Sequence, residues 1–229
     1  MEVNLKEPIH IEFFGLPGCG KSTISHLLAE KLRAKGYRVC EPTYDSDHNL
    51  KPVCRKLRKL LATLYYSISH QKEYLALIRL AKENGYTGFK DSLKQIVNIV
   101  PKVTHYQNSE RAVYFWDEGL CQSAISLAMN SSVDAREVER EFITVAGQRK
   151  IVKVYLKTDI ETALKRMAGR SSNDSRVEQE SDANKKYEIM KRFEDCCERI
   201  GHDSEILNCS ECSVEILCET ISNRLLELI

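Results

Sequence analysis

The sequence predicts an α/β fold: one domain over residues 1–229, with a five-stranded parallel sheet between helical layers as a three-layer sandwich. Three observations predict it. A short run rich in Ile and Phe (residues 9–14) stops at Gly15. Apolar residues then recur at helical spacing (Ile24, Leu27, Leu28, Leu32), and a second strand-like run follows at 37–40. Strand, glycine-rich turn, helix and strand form a βαβ unit, whose strands must be parallel. Three later runs, 112–116, 151–156 and 205–209, supply the remaining strands.

Bulk properties narrow the class. A chain of 229 residues with 42% hydrophobic and 29% charged residues can bury one sizeable core. Lys plus Arg number 34 against 33 for Asp plus Glu, a net charge of +1, which argues against bulk attraction to nucleic acid or an anionic membrane. No stretch of about 18 apolar residues occurs, so no membrane-spanning helix is expected. The first residues lack a basic segment followed by an apolar one, and the 9 cysteines are odd in number and scattered. Reduced thiols and a cytoplasmic location are the expectation.

Between the second and third strands the pattern turns helical, and an insertion is expected at about 50–105. Its first helix carries the stripe Val53, Leu57, Leu60, Leu61, Leu64 and Ile68. The cluster Arg55, Lys56, Arg58 and Lys59 reads as that helix's solvated face. A second helix covers about 72–83, and a third about 91–100, where Pro101 ends or kinks it. Asp134 and Glu137 resemble a capping box. Residues 171–182 are polar and suit a loop, and Val214, Leu217, Ile221 and Leu225 mark a closing helix.

The chemistry begins at Gly15-Leu16-Pro17-Gly18-Cys19-Gly20-Lys21-Ser22, which fits the pattern G-x-x-x-x-G-K-[ST] at every position. Glycines allow turn conformations in which successive N–H groups point inward at phosphate oxygens, and the helix behind them adds its positive end. Lys21 is expected to reach the terminal phosphates and Ser22 to ligate Mg²⁺, with Thr23 completing the nucleotide-binding set. The strand before the pattern and the amphipathic helix after it are the context this motif needs. A P-loop NTPase using ATP and Mg²⁺ is the expectation.

Asp117 and Glu118 end the third strand. A carboxylate there can hold Mg²⁺ or accept a proton from an attacking hydroxyl, and spacing does not say which residue does which. Arg166 and Arg170 share a helix face just before the polar loop. They are the candidate cations of a lid at about 166–183, where they would neutralise charge on a transferred phosphoryl group.

With these residues the chain resembles the thymidylate-kinase and deoxynucleoside-kinase branch of the P-loop kinases. Residues 11–33 resemble its opening strand, phosphate loop and helix; Glu41-Pro42-Thr43 resembles its Glu-Pro turn. Trp116-Asp117-Glu118 resembles the acidic end of its third strand, and residues 154–170 its fourth strand and lid. The resemblance implies transfer of the γ-phosphate of ATP to a small-molecule acceptor, with a nucleoside or nucleotide as favourite. It implies Asp117 as acid or base, Arg166 and Arg170 as lid cations, and Glu41 lining the acceptor site, with Arg79 as the candidate substrate arginine. A homodimer is left open.

The chain departs from that pattern at Glu118, where the family usually carries arginine. A second acid repels a nucleoside monophosphate and suits a neutral or cationic acceptor, so a sugar, antibiotic or other hydroxylated metabolite is an alternative. A nucleotide-dependent ATPase or switch acting on a protein partner is another, although Asn184-Lys185-Lys186-Tyr187 lacks the Asp of the usual GTP-binding segment. Cys209 and Cys212, with Cys196 and Cys197, make one CxxC pair where a zinc site needs two, so no metal beyond Mg²⁺ is expected.

Overall fold

The computed structural model describes residues 3, 5–83, 89–129, 133–147, 149–169, 176–209 and 214–228. The chain opens with β1 (Ile9–Phe14), α1 (Lys21–Ala34), β2 (Val39–Cys40) and α2 (Pro42–Asn49). Three helices of the insertion follow: α3 (Pro52–Ser69), α4 (Gln71–Glu83) and α5 (Phe89–Gln107). After β3 (Val113–Trp116) come α6 (Leu120–Ala128), α7 (Ala135–Val145) and β4 (Ile151–Lys157). The chain closes with α8 (Ile160–Ala168), α9 (Arg176–Gln179), α10 (Ala183–Gly201), β5 (Glu205–Asn208) and α11 (Val214–Leu228). All strands are parallel, in the order β2-β3-β1-β4-β5. No described helix is long and apolar enough to cross a membrane.

Alternation along the strands divides the core in two. Ile9, Ile11 and Phe13 of β1, with Val113, Phe115, Val154 and Leu156, face α1 and α11. Phe14, Tyr114, Trp116 and Tyr155 face α5, α6, α7 and α10. On that second face the central strand also buries two polar side chains, His10 and Glu12.

His10 is held neutral by its neighbours. Trp116 Nε1–H can only donate, and it bonds His10 Nδ1 at 3.1 Å, so the ring proton sits on Nε2, facing Ser109 Oγ at 3.2 Å. The ring stacks on Tyr106, with centroids 4.1 Å apart. Burial first, then Arg149 and His105, pull its pKa down from 6.5 to about 3. The unfolded chain therefore binds a proton near pH 6.5 that the folded chain refuses until about pH 3. Stability is full above pH 6.5 and falls as the pH drops toward 3. Between pH 6.5 and about 5, before most carboxylates titrate, the loss attributable to His10 is about 2 kcal/mol. Urea unfolding of His10→Asn should show a flatter pH slope in that interval, and equal slopes would acquit the histidine.

The insertion departs from expectation in two places. Pro101 lies inside α5, which continues to Gln107 instead of ending at residue 100. The larger departure is α3, which is turned over. Its buried residues are Thr63 and Tyr66, while Val53, Leu57, Leu60, Leu61, Leu64 and Ile68 are exposed. Two of the basic residues face inward: Arg55 pairs with Asp47, and Lys59 donates to Asn98 at 3.1 Å.

Shorter differences follow local chemistry. The second strand is only two residues long, and an unexpected helix follows Glu41, whose side chain does not cap it; Pro42 stands at its start, where proline's missing N–H costs nothing. Asp134 caps α7 as expected, accepting from Arg136 N at 2.9 Å. Residues 171–175 of the expected loop lie outside the described residues, while 176–179 form a short helix whose Val177 enters the core.

Candidate active site

The phosphate-loop residues, Glu41, and Asp117 with Glu118 follow the carboxyl ends of β1, β2 and β3, the edge where parallel α/β sheets offer their crevice. Residues 15–20 join β1 to α1 and lie against β4 and α8. A Cβ on Gly15 would meet the Leu156 carbonyl at 2.5 Å, and one on Gly18 would meet the Ala163 carbonyl at 2.5 Å. Gly18 also has φ 86°, a conformation that side chains with a Cβ rarely adopt. The loop is thus pressed onto its neighbours with no room for other residues.

The start of α1 is free to receive an anion. Helices α7, α8 and α10 open on Asp134, Asp159 and Asp182, each accepting a first-turn N–H. Helix α1 opens on Gly20 with no side-chain cap and no acid in its first turn. Its orphan donors and dipole remain available to phosphate. Lys21 Nζ folds over the loop, donating to the Gly15 and Leu16 carbonyls at 3.0 Å each and lying 3.7 Å from Cys19 Sγ. Gln122 Oε1 accepts the Gly15 N–H at 3.3 Å and fastens the loop's first residue to α6. Ser22 and Thr23 are exposed in the first turn.

Asp117 is nearly buried at the end of β3, and Thr43 Oγ1 donates to its Oδ1. That bond ties the turn after β2 to the acid after β3. Glu118 is exposed beside it. Beneath the same turn lies Glu12, which accepts from Tyr106 O–H and from the Cys121 N–H at 2.7 Å. Gly119 must be a glycine here, because a Cβ would come within 2.5 Å of Glu12 Oε2.

Lys102 is the cation that the sequence reading missed. Its Nζ donates to Ser123 Oγ at 2.8 Å and to the Gly119 carbonyl at 3.4 Å. Burial pulls its pKa below 10.5, against the favourable fields of Glu118, Glu12 and Asp117. Ending the helix at Pro101 had left Lys102 in a connecting segment, whereas the continuous α5 aims it at the acids. Gln122 was hidden for a different reason: α6 is buried on nearly every side and offers no polar face to read.

The other expected site residues are distributed as follows. Glu41 is buried, and its carboxylate faces α1, where Arg33 Nη1 lies at 2.7 Å and His26 Nδ1 at 3.1 Å. Arg166 is exposed on α8 and donates to the Cys209 carbonyl at 2.9 Å, fastening that helix to the end of β5. Arg79 is exposed on α4, a helix whose other face packs on α5 and the core. Arg170 lies outside the described residues. Among the described residues the one cluster with metal-ligand spacing is His26, Glu30 and Glu41, and there the Arg33 guanidinium already bridges the two carboxylates. Ser22 and Asp117, by contrast, present the hard oxygen atoms that Mg²⁺ takes.

With this geometry established, the likeness to known proteins can be placed. The family model described as Nephrocystin 3, N-terminal, matches residues 10–120. No curated protein matches the chain in sequence. Deoxyadenosine kinase from M. mycoides, in a structure with product dCMP and a flexible dCDP bound, is 20% identical with a TM-score of 0.53. That alignment covers 95% of this chain and 99% of the kinase. The chain shares the fold of that kinase, a parallel five-stranded sheet flanked by helices. A second structure of the same enzyme, with dATP bound, gives 20% identity and a TM-score of 0.53 over 94% of this chain and 98% of that one.

Proposed function

We propose that this protein is an ATP-dependent nucleoside kinase, with an uncharged nucleoside as acceptor. The observation that carries the reading is the pairing of a complete phosphate loop with Asp117 and Glu118 across the mouth of a deoxynucleoside-kinase fold. Loop N–H groups, the start of α1 and Lys21 bind the triphosphate. Ser22 and Asp117 would hold Mg²⁺, which would supply charge neutralisation at the phosphates. Asp117, oriented by Thr43, accepts the proton as the acceptor hydroxyl forms its new O–P bond; Glu118 is the alternative base. The bond from the γ-phosphorus to the β,γ-bridging oxygen breaks, and ADP leaves with that electron pair. Arg166 and Arg170 serve as lid cations over the transferring group. On the acceptor side, Glu41 acts through the Glu41-Pro42-Thr43 turn, and Arg79 lies at the outer rim. The exposed Glu118 disfavours a monophosphate acceptor, so a thymidylate-kinase-like activity is the weaker variant of this reading.

The test is ADP release from ATP-Mg²⁺ over a panel of nucleosides, nucleoside monophosphates, sugars and aminoglycosides. Turnover is expected with nucleosides, and Asp117→Asn should lower it by about 10²-fold or more. Turnover confined to sugars or aminoglycosides would replace the acceptor class. Intact ATP binding with no acceptor-stimulated turnover would sink the kinase reading in favour of an ATPase or switch.

Lys102 gives the reading a pH signature. Its ammonium braces the turn that carries both acids, so Lys102→Met should lower kcat/KM by about 10²-fold. Because burial lowers its pKa, the wild-type lysine discharges below pH 10.5, and activity should decline on that alkaline limb. Lys102→Arg keeps the charge and should move the limb upward; an unmoved limb would show that Lys102 does not set it.

A further inference from the structure

We propose that Gln122 is a positioning residue for phosphoryl transfer: its side chain holds the phosphate loop at a set distance from the turn that carries Asp117. This role rests on the kinase reading above and deepens it, since it concerns the spacing between nucleotide and base.

Strands β1 and β3 run paired as far as Glu12 and Trp116. Beyond that pair the two chains part. Strand β1 continues beside β4, with Phe14 opposite Tyr155, and enters the loop at Gly15. Strand β3 ends and turns through Asp117 into α6. The phosphate loop and the base therefore stand on separate arms of a fork, and each arm is fixed from its own side. Gly15 and Gly18 press the loop onto Leu156 and Ala163. On the other arm Thr43 donates to Asp117, Glu12 accepts the Cys121 N–H, and Lys102 donates to Ser123. The bond from the Gly15 N–H to Gln122 Oε1, at 3.3 Å, crosses the gap. Among the described residues it is the one hydrogen bond between the loop and α6.

The orientation of the amide follows from chemistry: a backbone N–H only donates, so the oxygen faces Gly15. Gln122 is 9% exposed, on a helix with eight of its nine residues buried. Burying an amide there costs free energy that one neutral hydrogen bond, contributing about 1 kcal/mol, only offsets. Methionine would fill the same space with no amide to desolvate. Stability alone gives no reason for glutamine here, whereas alignment does. A displacement of about 1 Å between reacting groups costs about 10²-fold in rate. Without the clamp the loop keeps its N–H groups, Lys21 and the start of α1, so nucleotide binding survives while the distance to Asp117 is no longer set.

Gln122→Met should lower kcat by about 10²-fold while the Kd for ATP-Mg²⁺, measured by calorimetry, stays within about threefold of wild type. Its melting temperature should move by less than about 4 °C, because the variant removes a buried amide as it strands one N–H. The decisive measurement is the double-mutant cycle with Asp117→Asn. If Gln122 acts by aligning the γ-phosphorus with that base, its removal should cost less than about threefold once the base is gone. Equal losses on both backgrounds would overturn the inference and leave the kinase reading intact. So would a kcat within about threefold of wild type, or a melting temperature lowered by more than about 10 °C, the mark of a structural role. An ATP affinity weakened by more than about tenfold would overturn it too, by making Gln122 a nucleotide contact. Absence of turnover by the wild type with every acceptor would instead sink the kinase reading, and this role with it.

Discussion

Lys21→Ala is expected to lower ATP-dependent turnover by about 10³-fold, the scale of removing one preorganised charge from a phosphoryl-transfer site. The ammonium donates to the Gly15 and Leu16 carbonyls at 3.0 Å each. Phosphate oxygens can take over those contacts without rebuilding the loop, because Gly15 and Gly18 are wedged against Leu156 and Ala163. Losing the two resting bonds costs about 1–3 kcal/mol of stability, too little to unfold the domain. Activity should therefore collapse while the melting curve moves slightly. Lys21→Arg tests whether charge alone suffices; its broad fork has to fit a space lined by two carbonyls and the Cys19 thiol, and little rescue is expected. A Lys21→Ala protein within tenfold of wild-type turnover would remove the phosphate loop from the chemistry.

Glu12→Ala is expected to destabilise the domain by about 3–5 kcal/mol, the scale of breaking a buried polar network and leaving a cavity. The side chain is fully buried and receives Tyr106 O–H and the Cys121 N–H. Alanine would strand both donors. For a chain of this length the melting temperature should fall by about 10 °C. Tyr106→Phe removes only one of the donors and should cost about 1–2 kcal/mol. Since Glu12 also packs under Gly119, the alanine variant should loosen the Asp117-Glu118 turn and lower turnover even at temperatures where it stays folded. A loss below about 1 kcal/mol would mean that water replaces the carboxyl at little cost.

The phosphate loop was legible because its job is done by backbone, and a motif of glycines and one lysine states that requirement directly. Strands β1 and β3 were legible because fully buried parallel strands are short, largely apolar runs. What the sequence hid has physical causes. Helix α6 is buried on nearly every side, its polar Gln122 and Ser123 included, so it has no exposed face to mark its period. In α3 the period was correct and the direction wrong: an apolar stripe says that a face is covered without saying by what, and here the domain core covers the opposite side. Pro101 reads as the end or a kink of its helix, whereas a helix held by tertiary packing tolerates one missing bond and runs on through Lys102 to Gln107. Glu41 stands out through the resemblance, and Arg166 through its helical spacing beside the polar loop. Their bonds to Arg33, His26 and the Cys209 carbonyl could not be foreseen from spacing, since each joins segments that only the fold brings together.

The two polar residues of β1 have a consequence for how the chain assembles. Slipping this central strand by one position would swap its faces, driving His10 and Glu12 against Leu28, Leu32 and Leu217, where no donors wait for them. Each unpartnered group would cost several kcal/mol, whereas a wholly apolar strand could slide at little penalty. Misaligned intermediates are thereby made unstable early, before the loop has formed. A slip would also carry Gly15 about 3.3 Å along the strand direction, away from the Leu156 carbonyl that it must approach. Polarity buried beneath the loops of the site thus sets the depth at which the glycines stand.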